Sequence, residues 1–311
     1  MNILIVGGTG MIGINAALHL RSKGHAVTLA ARHRPDAGHP AAGFALLTGD
    51  FAKAEFTGAD LAPFDAVVFA AGNDPRHLPK GADPEEFYRA TQSEGVPAFA
   101  ALARAAGVRR FVQIGSYYHH LRPDLAAGSP YIRARQLADE GARALADARF
   151  CAITLNPPSI VGAVPGMPAL RYRMLAEWGR GLHPEIANAA PPGGTNYMSV
   201  RSLTEAIEGA LLRGESGRAY LIGDESLGYR DFFQMFFDAA GSSAVVETVD
   251  AEHPILPDAY IVQGRGNALA YEPDAAETAL LGYTRGDVRR AVNEVVAMAG
   301  GRDSGAKGPK T

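Results

Sequence analysis

The sequence predicts an α/β protein with a doubly wound parallel sheet and a smaller C-terminal lobe. The first observation is residues 3–6, an apolar run rich in β-branched residues that is typical of a strand buried on both faces. The second is the run 11–21, where apolar residues recur at helical spacing. The third is the alternation of strand-like and helical runs up to residue 156, because such alternation builds parallel strands joined by right-handed crossovers.

The other strands and helices up to residue 156 are predicted from the same two patterns, apolar runs for strands and helical spacing of apolar residues for helices. Strands are predicted at residues 25–30, 44–47, 66–69, 110–114 and 150–155. Helices are predicted at residues 83–106, with a kink at Pro97, and at residues 129–148.

Three regularly spaced glycines lie between the first strand and the first helix. Gly7 permits a tight turn, Gly10 lets a ligand approach the backbone, and Gly13 lets the helix pack close to the strand. Because the free amides of a helix start favour phosphate groups, this turn predicts a dinucleotide site. The residues assigned to it are Gly7, Thr9, Gly10, Met11, Ile12 and Gly13. The alternative is an ordinary turn, since spaced glycines alone are a weak signal in a chain with 36 of them.

The domain organisation follows from where the alternation stops. We expect a Rossmann-type dinucleotide-binding domain at residues 1–156, with returning segments at about 196–222. Prolines and aromatics then interrupt the pattern, so a substrate-binding lobe is expected at 157–195 and 223–299. Residues 300–311 lack apolar periodicity and are expected to form a flexible tail.

Composition and charge narrow the class of protein. A net charge of -3 gives no basic field, which argues against a nucleic-acid partner. Cys151 is the single cysteine, so neither an intramolecular disulfide nor a thiolate metal cluster is expected, and we predict no metal. The chain enters its first strand without a secretory segment and has no run long enough to span a bilayer, so we expect a cytoplasmic protein without a membrane partner.

A hydroxyl, a phenol and a cation are expected near the carboxyl ends of the strands. Ser116 follows the strand at 110–114, at the edge where open α/β sheets bind ligands. Tyr131 and Arg135 are four residues apart in the next helix, so they share one face and the fixed cation can lower the pKa of the phenol. Beside a dinucleotide this set suits carbonyl reduction, in which the phenol donates a proton and the serine holds the oxygen.

The residues after the second strand predict which dinucleotide binds. NAD sites usually have an acid there for the ribose 2′-hydroxyl, whereas this chain has Arg32, His33 and Arg34. Guanidinium groups suit a 2′-phosphate, so Arg32 and Arg34 predict NADP, with NAD less favoured. The alternative is that both arginines are solvated loop charges.

Several short motifs occur in a fixed order along nearly the whole chain. They are Gly-Gly-Thr-Gly-Met-Ile-Gly at 7–13, Gly49-Asp50-Phe51, Ala70-Ala71-Gly72, Arg110-Phe111-Val112 leading to Ser116, Tyr131 with Arg135, Asn156-Pro157, the strand at 196–200 and Leu280-Leu281-Gly282-Tyr283. In this order they resemble an extended or atypical member of the short-chain dehydrogenase/reductase family, of the NAD-dependent epimerase/dehydratase kind.

The resemblance implies roles by position. Tyr131 matches the general acid/base, Ser116 the residue that polarises the substrate oxygen, and Arg135 the residue that binds ribose hydroxyls. Cofactor contacts are also implied for Asp50, Phe51, Ala70, Ala71, Gly72 and Pro157. The family normally has lysine at position 135, and arginine keeps the charge but cannot pass on a proton.

These observations together predict an NADP-dependent oxidoreductase that transfers a hydride between the nicotinamide and a carbonyl or alcohol of a small organic substrate. Two alternatives stay open, a sugar-nucleotide-type epimerase or dehydratase with bound NAD and a protein that senses NADP without turnover. The resemblance also implies a homodimer formed through helices 83–106 and 129–148. His119 and His120 are expected to be surface histidines, without the spacing of a metal site.

Overall fold

The computed structural model describes residues 1–167 and 170–300, without the side chains of residues 170 and 171; the predicted tail at 301–311 lies outside this range. The strands are β1 (Asn2–Val6), β2 (Ala26–Ala31), β3 (Ala45–Thr48), β4 (Ala66–Phe69), β5 (Arg110–Ile114), β6 (Cys151–Asn156), β7 (Ser159–Val161), β8 (Ala189–Ala190), β9 (Gly194–Ser199), β10 (Ala219–Leu221), β11 (Glu225–Gly228), β12 (Glu247–Thr248) and β13 (Ala268–Leu269). The α-helices are α1 (Met11–Ser22), α2 (Gly58–Leu61), α3 (Pro84–Tyr88), α4 (Gly95–Ala105), α5 (Tyr118–Leu121), α6 (Pro130–Arg143), α7 (Leu170–Gly179), α8 (Val200–Arg213), α9 (Tyr229–Ala239), α10 (Ala275–Leu281) and α11 (Val288–Gly300). None of these helices has the length and apolar character that crossing a bilayer requires.

The described chain divides into two compact units. The first consists of residues 1–158, 201–223 and 273–284, and the second of residues 159–200, 224–272 and those from 285 onward. The assignment of these units to cofactor and substrate stays a prediction.

Seven parallel strands form the central sheet of the first unit, in the order β3-β2-β1-β4-β5-β6-β10. This confirms the predicted Rossmann-type, doubly wound sheet. Ile3, Leu4 and Ile5 of the central strand are completely buried, as expected for parallel strands covered on both faces. The strand order reverses between β1 and β4, and such a switch point is where open α/β sheets bind ligands.

The helix predicted at 83–106 is interrupted, and the interruption precedes Pro97, where a kink was predicted. After α3 the chain forms a π-helical turn at Arg89–Ser93, in which an N–H donates to the carbonyl five residues earlier. A Cβ on Gly95 would lie 2.1 Å from the Ala90 carbonyl oxygen, so α4 begins with glycine where the wide turn closes. Pro97 lies in the first turn of α4, where its missing N–H costs no helical hydrogen bond.

The helix predicted at 129–148 ends earlier, at Arg143. The side chain of Asp147 accepts hydrogen bonds from the backbone N–H groups of Arg149 at 2.7 Å and Phe150 at 2.8 Å. These local bonds compete with helical ones and turn the chain into β6.

A small sheet and an aromatic core characterise the second unit. β9 pairs antiparallel with β11 and parallel with β13 and β7, while β8 and β12 form a separate parallel pair. Helices α7, α9 and α11 pack against one another around Trp178, Phe232 and Phe236, which are almost completely buried. Tyr197 of β9 stacks on Phe232 of α9 with ring centroids 3.8 Å apart, so rings join the sheet to the helices.

Candidate functional site

The glycine turn lies at the switch point, between β1 and α1. Gly7 has a φ of +79°, and a Cβ there would lie 2.8 Å from the backbone N of Ala71. A Cβ on Gly13 would lie 2.3 Å from the Gly7 carbonyl oxygen, so both positions require glycine. Gly10 is exposed, and α1 has neither a capping side chain nor an acid in its first turn, so its amino end suits a phosphate. Thr9, Met11 and Ile12 are half-buried in the same segment.

The segments after β2 and β3 carry the next predicted residues. Arg32 and Arg34 are exposed after β2, and neither side chain pairs with any residue that the structure describes. Asp50 follows β3, and its Oδ1 accepts a backbone N–H two residues further on at 3.0 Å. Phe51 packs edge to face on Phe69 of β4, with ring centroids 4.9 Å apart. The arginine pair is therefore free to bind a ligand, whereas Asp50 and Phe51 also shape the turn.

Arg135 is buried beside the carboxyl ends of β4 and β5, with 6% of its surface exposed. Its Nη1 donates to Gln92 Oε1 at 3.1 Å, and its Nη2 donates to the carbonyls of Ile114, at 3.0 Å, and Gly115. A Cβ on Gly72 would lie 3.3 Å from Nη1, so the loop after β4 passes directly against the guanidinium. The Arg135 Nε is buried and has no hydrogen-bond partner among the described residues. Ala70 and Ala71 of the same loop are half-buried, and Pro157 after β6 is buried.

Ser116 is buried beyond the end of β5, at the predicted edge of the sheet. Its backbone N–H donates to Asn156 Oδ1 at 2.9 Å, and Asn156 Nδ2 donates to Asp139 Oδ2 at 3.3 Å. A Cβ on Gly115 would lie 2.1 Å from the same Asn156 oxygen, so this glycine makes room for the asparagine. The position of the serine backbone therefore depends on a buried amide and a buried carboxylate.

Tyr131 lies half-buried at the start of α6 within a group of tyrosines. Its ring centroid is 5.5 Å from that of Tyr88 and 6.3 Å from that of Tyr118. Burial, with contributions from Tyr131 and Asp74, raises the pKa of Tyr88 to about 12, so Tyr88 remains a neutral phenol. The Tyr131 hydroxyl has no hydrogen-bond partner within the described part of the chain and is available to a ligand.

His119 and His120 differ in burial, and the expectation of a surface histidine is wrong for His119. His119 is buried, and its Nε2 lies 3.0 Å from Oδ2 of Asp139, whereas His120 is exposed. Burial lowers the pKa of His119, so the neutral imidazole donates to the carboxylate. The sequence does contain a signal for Asp139, because its four-residue spacing from Arg143 is typical of an ion pair on one helix face.

Asp139 is completely buried, yet it is ionised. Burial raises its pKa, but hydrogen bonds from His119, His120 and Arg143 outweigh that effect and hold the pKa well below its usual range. Ligand atoms of Asp139 and the two histidines lie within 4.8 Å of one another, close enough for a metal ion. Arg143 and Asn156 already bond to this carboxylate, however, so its charge is compensated without a metal.

The residues at the switch point fit a dinucleotide. Gly7 and Gly13 leave no room for a side chain, and the start of α1 is open to an anion. Arg135 Nε is a buried donor without a partner in the described chain. The reacting groups predicted from sequence are Ser116, which follows β5, and Tyr131, which lies in the first turn of α6. The groups at this edge of the sheet suit the binding of a nucleotide, and a phenol and a hydroxyl belong to the same set.

Comparison with known proteins agrees with this geometry. The family described as NAD dependent epimerase/dehydratase matches residues 3–223. The crystal structure of gox2253 superposes with a TM-score of 0.76 at 22% identity, covering 98% of each chain. The UDP-N-acetylglucosamine 4-epimerase from Bacillus cereus gives 0.71 at 13% identity, covering 96% of this chain and 99% of that chain. MoeE5, solved with UDP-glucuronic acid and NAD, gives 0.70 at 19% identity, covering 98% of this chain and 100% of that chain.

At these identities the likeness to solved structures shows the fold, and none of the curated proteins matches the chain. The family match is more specific, because it spans more than half of the chain, from β1 to the end of β10. The protein therefore belongs to the NAD-dependent epimerase/dehydratase family, whose members are enzymes of the extended short-chain dehydrogenase/reductase type with a nicotinamide cofactor.

Proposed function

We propose that the protein is an NADP-dependent oxidoreductase acting on a carbonyl or alcohol group of a small organic substrate. The observation that carries the choice of cofactor is the pair Arg32 and Arg34 after β2, at the place where NAD sites have an acid. Both are exposed, and neither side chain has a partner among the residues that the structure describes. Two guanidinium groups bind a 2′-phosphate through charge-assisted hydrogen bonds that a 2′-hydroxyl cannot match.

The remaining cofactor contacts are assigned by position along the switch point. The amides at the start of α1, from Gly10 to Gly13, would face the pyrophosphate. Asp50 and Phe51 would lie near the adenine, and Arg135 would donate to the nicotinamide ribose. The last members of the assigned set are Ala70, Ala71, Gly72 and Pro157.

The bound nicotinamide would supply or take up a hydride, and the protein would move the proton. Ser116 would hold the substrate oxygen and Tyr131 would donate the proton to it, or accept one in the reverse direction. Arg135 cannot deprotonate, so its role is electrostatic, and the proton of the half-exposed Tyr131 would exchange directly with water. Replacement of Tyr131 by Phe should leave cofactor affinity unchanged and lower turnover by about 10²–10⁴-fold.

The test is titration with NADPH and NADH, followed by absorbance assays with a panel of ketones and aldehydes. The Arg32→Ala/Arg34→Ala variant should lose at least about tenfold in NADPH affinity and keep its NADH affinity, because only the 2′-phosphate contacts are removed. Arg149→Ala is the matched control. Arg149 is also exposed and its side chain has no partner among the described residues, but it lies before β6 and not after β2, where the 2′-phosphate is expected. Equal affinity for NADPH and NADH in the wild type would refute the NADP assignment.

A second candidate is a sugar-nucleotide epimerase or dehydratase in which tightly bound NAD is regenerated in each turnover. The family match favours it, as does the superposition on the Bacillus cereus epimerase, although the residues after β2 favour NADP. Conversion of a UDP-sugar without net change in nicotinamide absorbance would establish this candidate. Binding of NADPH without turnover of either substrate class would favour a sensor.

We also propose a homodimer formed through residues 83–106 and 129–148. Leu137 on α6 supports it as a large apolar side chain that is 46% exposed. Light scattering should give twice the mass of the chain, and Leu137→Glu should give the monomer.

A further inference from the structure

Arg135 is a buried cation, and within the described part of the chain no carboxylate balances its charge. No acidic oxygen lies within 4.0 Å of its guanidinium among the residues described, and its acceptors are two backbone carbonyls at the end of β5 and the side chain of Gln92. Backbone carbonyls move only with the strand. Gln92 holds the other end of the guanidinium, and among the described residues it is the side chain that accepts a hydrogen bond from it.

Gln92 is completely buried and lies in the π-helical turn between α3 and α4. Its Oε1 accepts from Arg135, and its Nε2 donates to the Asn73 carbonyl at 3.3 Å, in the loop that continues from Gly72. A guanidinium only donates and a carbonyl only accepts, so the amide has a single satisfied orientation. The same side chain thus fixes both Arg135 and the loop that passes against it.

We propose that Gln92 is a positioning residue for the cofactor and acts through Arg135. With Nη1 and Nη2 held by Gln92 and the β5 carbonyls, Nε has no partner among the described residues and remains a buried donor for a ribose hydroxyl. The π-helical turn delivers the amide to this point, and such turns often occur at functional sites. This inference rests on the proposed nicotinamide cofactor and adds a residue that the sequence motifs did not single out.

A double-mutant cycle tests the coupling, with the dissociation constant of NADPH measured by fluorescence titration. Gln92→Leu should weaken binding about tenfold, because Arg135 loses the one side-chain acceptor that it has among the described residues. Arg135→Met should weaken it at least as much, and the double variant should bind no more weakly than Arg135→Met alone. Losses that add in the double variant would overturn the proposal, because Gln92 would then act independently of Arg135.

Two further variants separate positioning from a loss of packing. Gln92→Glu loses the donor to the Asn73 carbonyl but retains an acceptor for Arg135, and it should bind NADPH within about threefold of the wild type because the proposed role acts through Arg135. Gln113→Leu removes another buried glutamine, which lies on β5 and bonds to Thr154, and should leave NADPH affinity unchanged. A tenfold loss in folded Gln92→Glu, or an equal loss in Gln113→Leu, would overturn the proposal, and Gln92→Glu keeps the test valid if Gln92→Leu does not fold.

The outcomes distinguish this inference from the proposed function. A wild-type protein that binds neither NADPH nor NADH overturns both. A wild-type protein that binds NADPH while the cycle is additive overturns only the role of Gln92. Non-additive losses with rescue by Gln92→Glu support both.

Discussion

The two units bury polar side chains in opposite surroundings. Asp139 of the first unit is completely buried among donors, with hydrogen bonds from His119, Arg143 and Asn156. His253 of the second unit is buried among aromatic rings instead. The first arrangement connects to the backbone of a proposed catalytic serine, whereas the second belongs to a hydrophobic core.

His253 lies against Trp178 and Phe233, with ring centroids 5.1 Å and 5.2 Å away. Its Nδ1 accepts the Ile255 N–H at 3.2 Å, and its Nε2 has no partner among the described residues. Burial lowers the pKa of this histidine. Burial of a titratable group therefore does not mark a site by itself, and Asp139 is of interest because its hydrogen bonds lead through Asn156 to the proposed catalytic Ser116.

The largest effect is expected in the aromatic core. Trp178 packs edge to face on Phe237, with centroids 4.7 Å apart, and its indole N–H donates to the Ile186 carbonyl at 3.2 Å. Trp178→Ala should lower the free energy of unfolding by about 3–5 kcal/mol, measured in urea. Trp178→Phe, the control, should lose less because a ring remains. A loss below about 1 kcal/mol in Trp178→Ala would mean that the rings do not stabilise the second unit.

A smaller loss is expected when the buried charge of the first unit is removed. Asp139→Asn keeps the shape but leaves Arg143 without its counter-ion, which should cost about 2–3 kcal/mol of unfolding free energy. Arg143 retains some contact with water, which keeps this loss below that of Trp178→Ala. The Asp139→Asn/Arg143→Met double variant should lose less than the sum of the two single losses. Additive losses would contradict the ion pair.

The pH dependence of stability should come from both units. The pKa values of His119 and His253 are lowered in the folded protein, so the unfolded chain binds protons first as pH falls below about 6.5. Stability is therefore complete above that pH and falls below it, by at most about 1.4 kcal/mol per pH unit for each histidine. Chemical unfolding from pH 7.5 to 5 measures this slope. His253→Phe should reduce it and leave the part due to His119, and an unchanged slope would contradict that assignment.

The smallest effect on the free energy of unfolding is expected at His120, the exposed histidine next to His119. His120 Nε2 lies 3.4 Å from the Asp139 carboxylate, but water competes for this contact. His120→Ala should change the free energy of unfolding by less than about 0.5 kcal/mol. A larger loss would show that the buried carboxylate depends on both histidines.

Local sequence patterns predicted the framework of the first unit. The apolar run before Gly7 and the apolar stripe after it follow the periods of a strand and of a helix, and the glycine spacing reflects positions without room for a Cβ. These are local properties, so β1, the turn and α1 could be derived without long-range contacts. The π-helical turn at 89–93 could not, because its residues fit an ordinary helical pattern. The second unit was equally hard to predict, since its core comes from rings that are scattered in sequence.

By itself the sequence determined the parallel sheet, the glycine turn at its switch point and the residue types available for chemistry there. Only the tertiary structure decided how those residues are paired. Gln92 meets Arg135 across 43 positions of the chain, and His119 meets Asp139 across 20. Local periodicity places each residue on a face of its own element. The residue that it contacts depends on how separate elements pack, and the hydrogen bonds between such residues are stronger because they are buried.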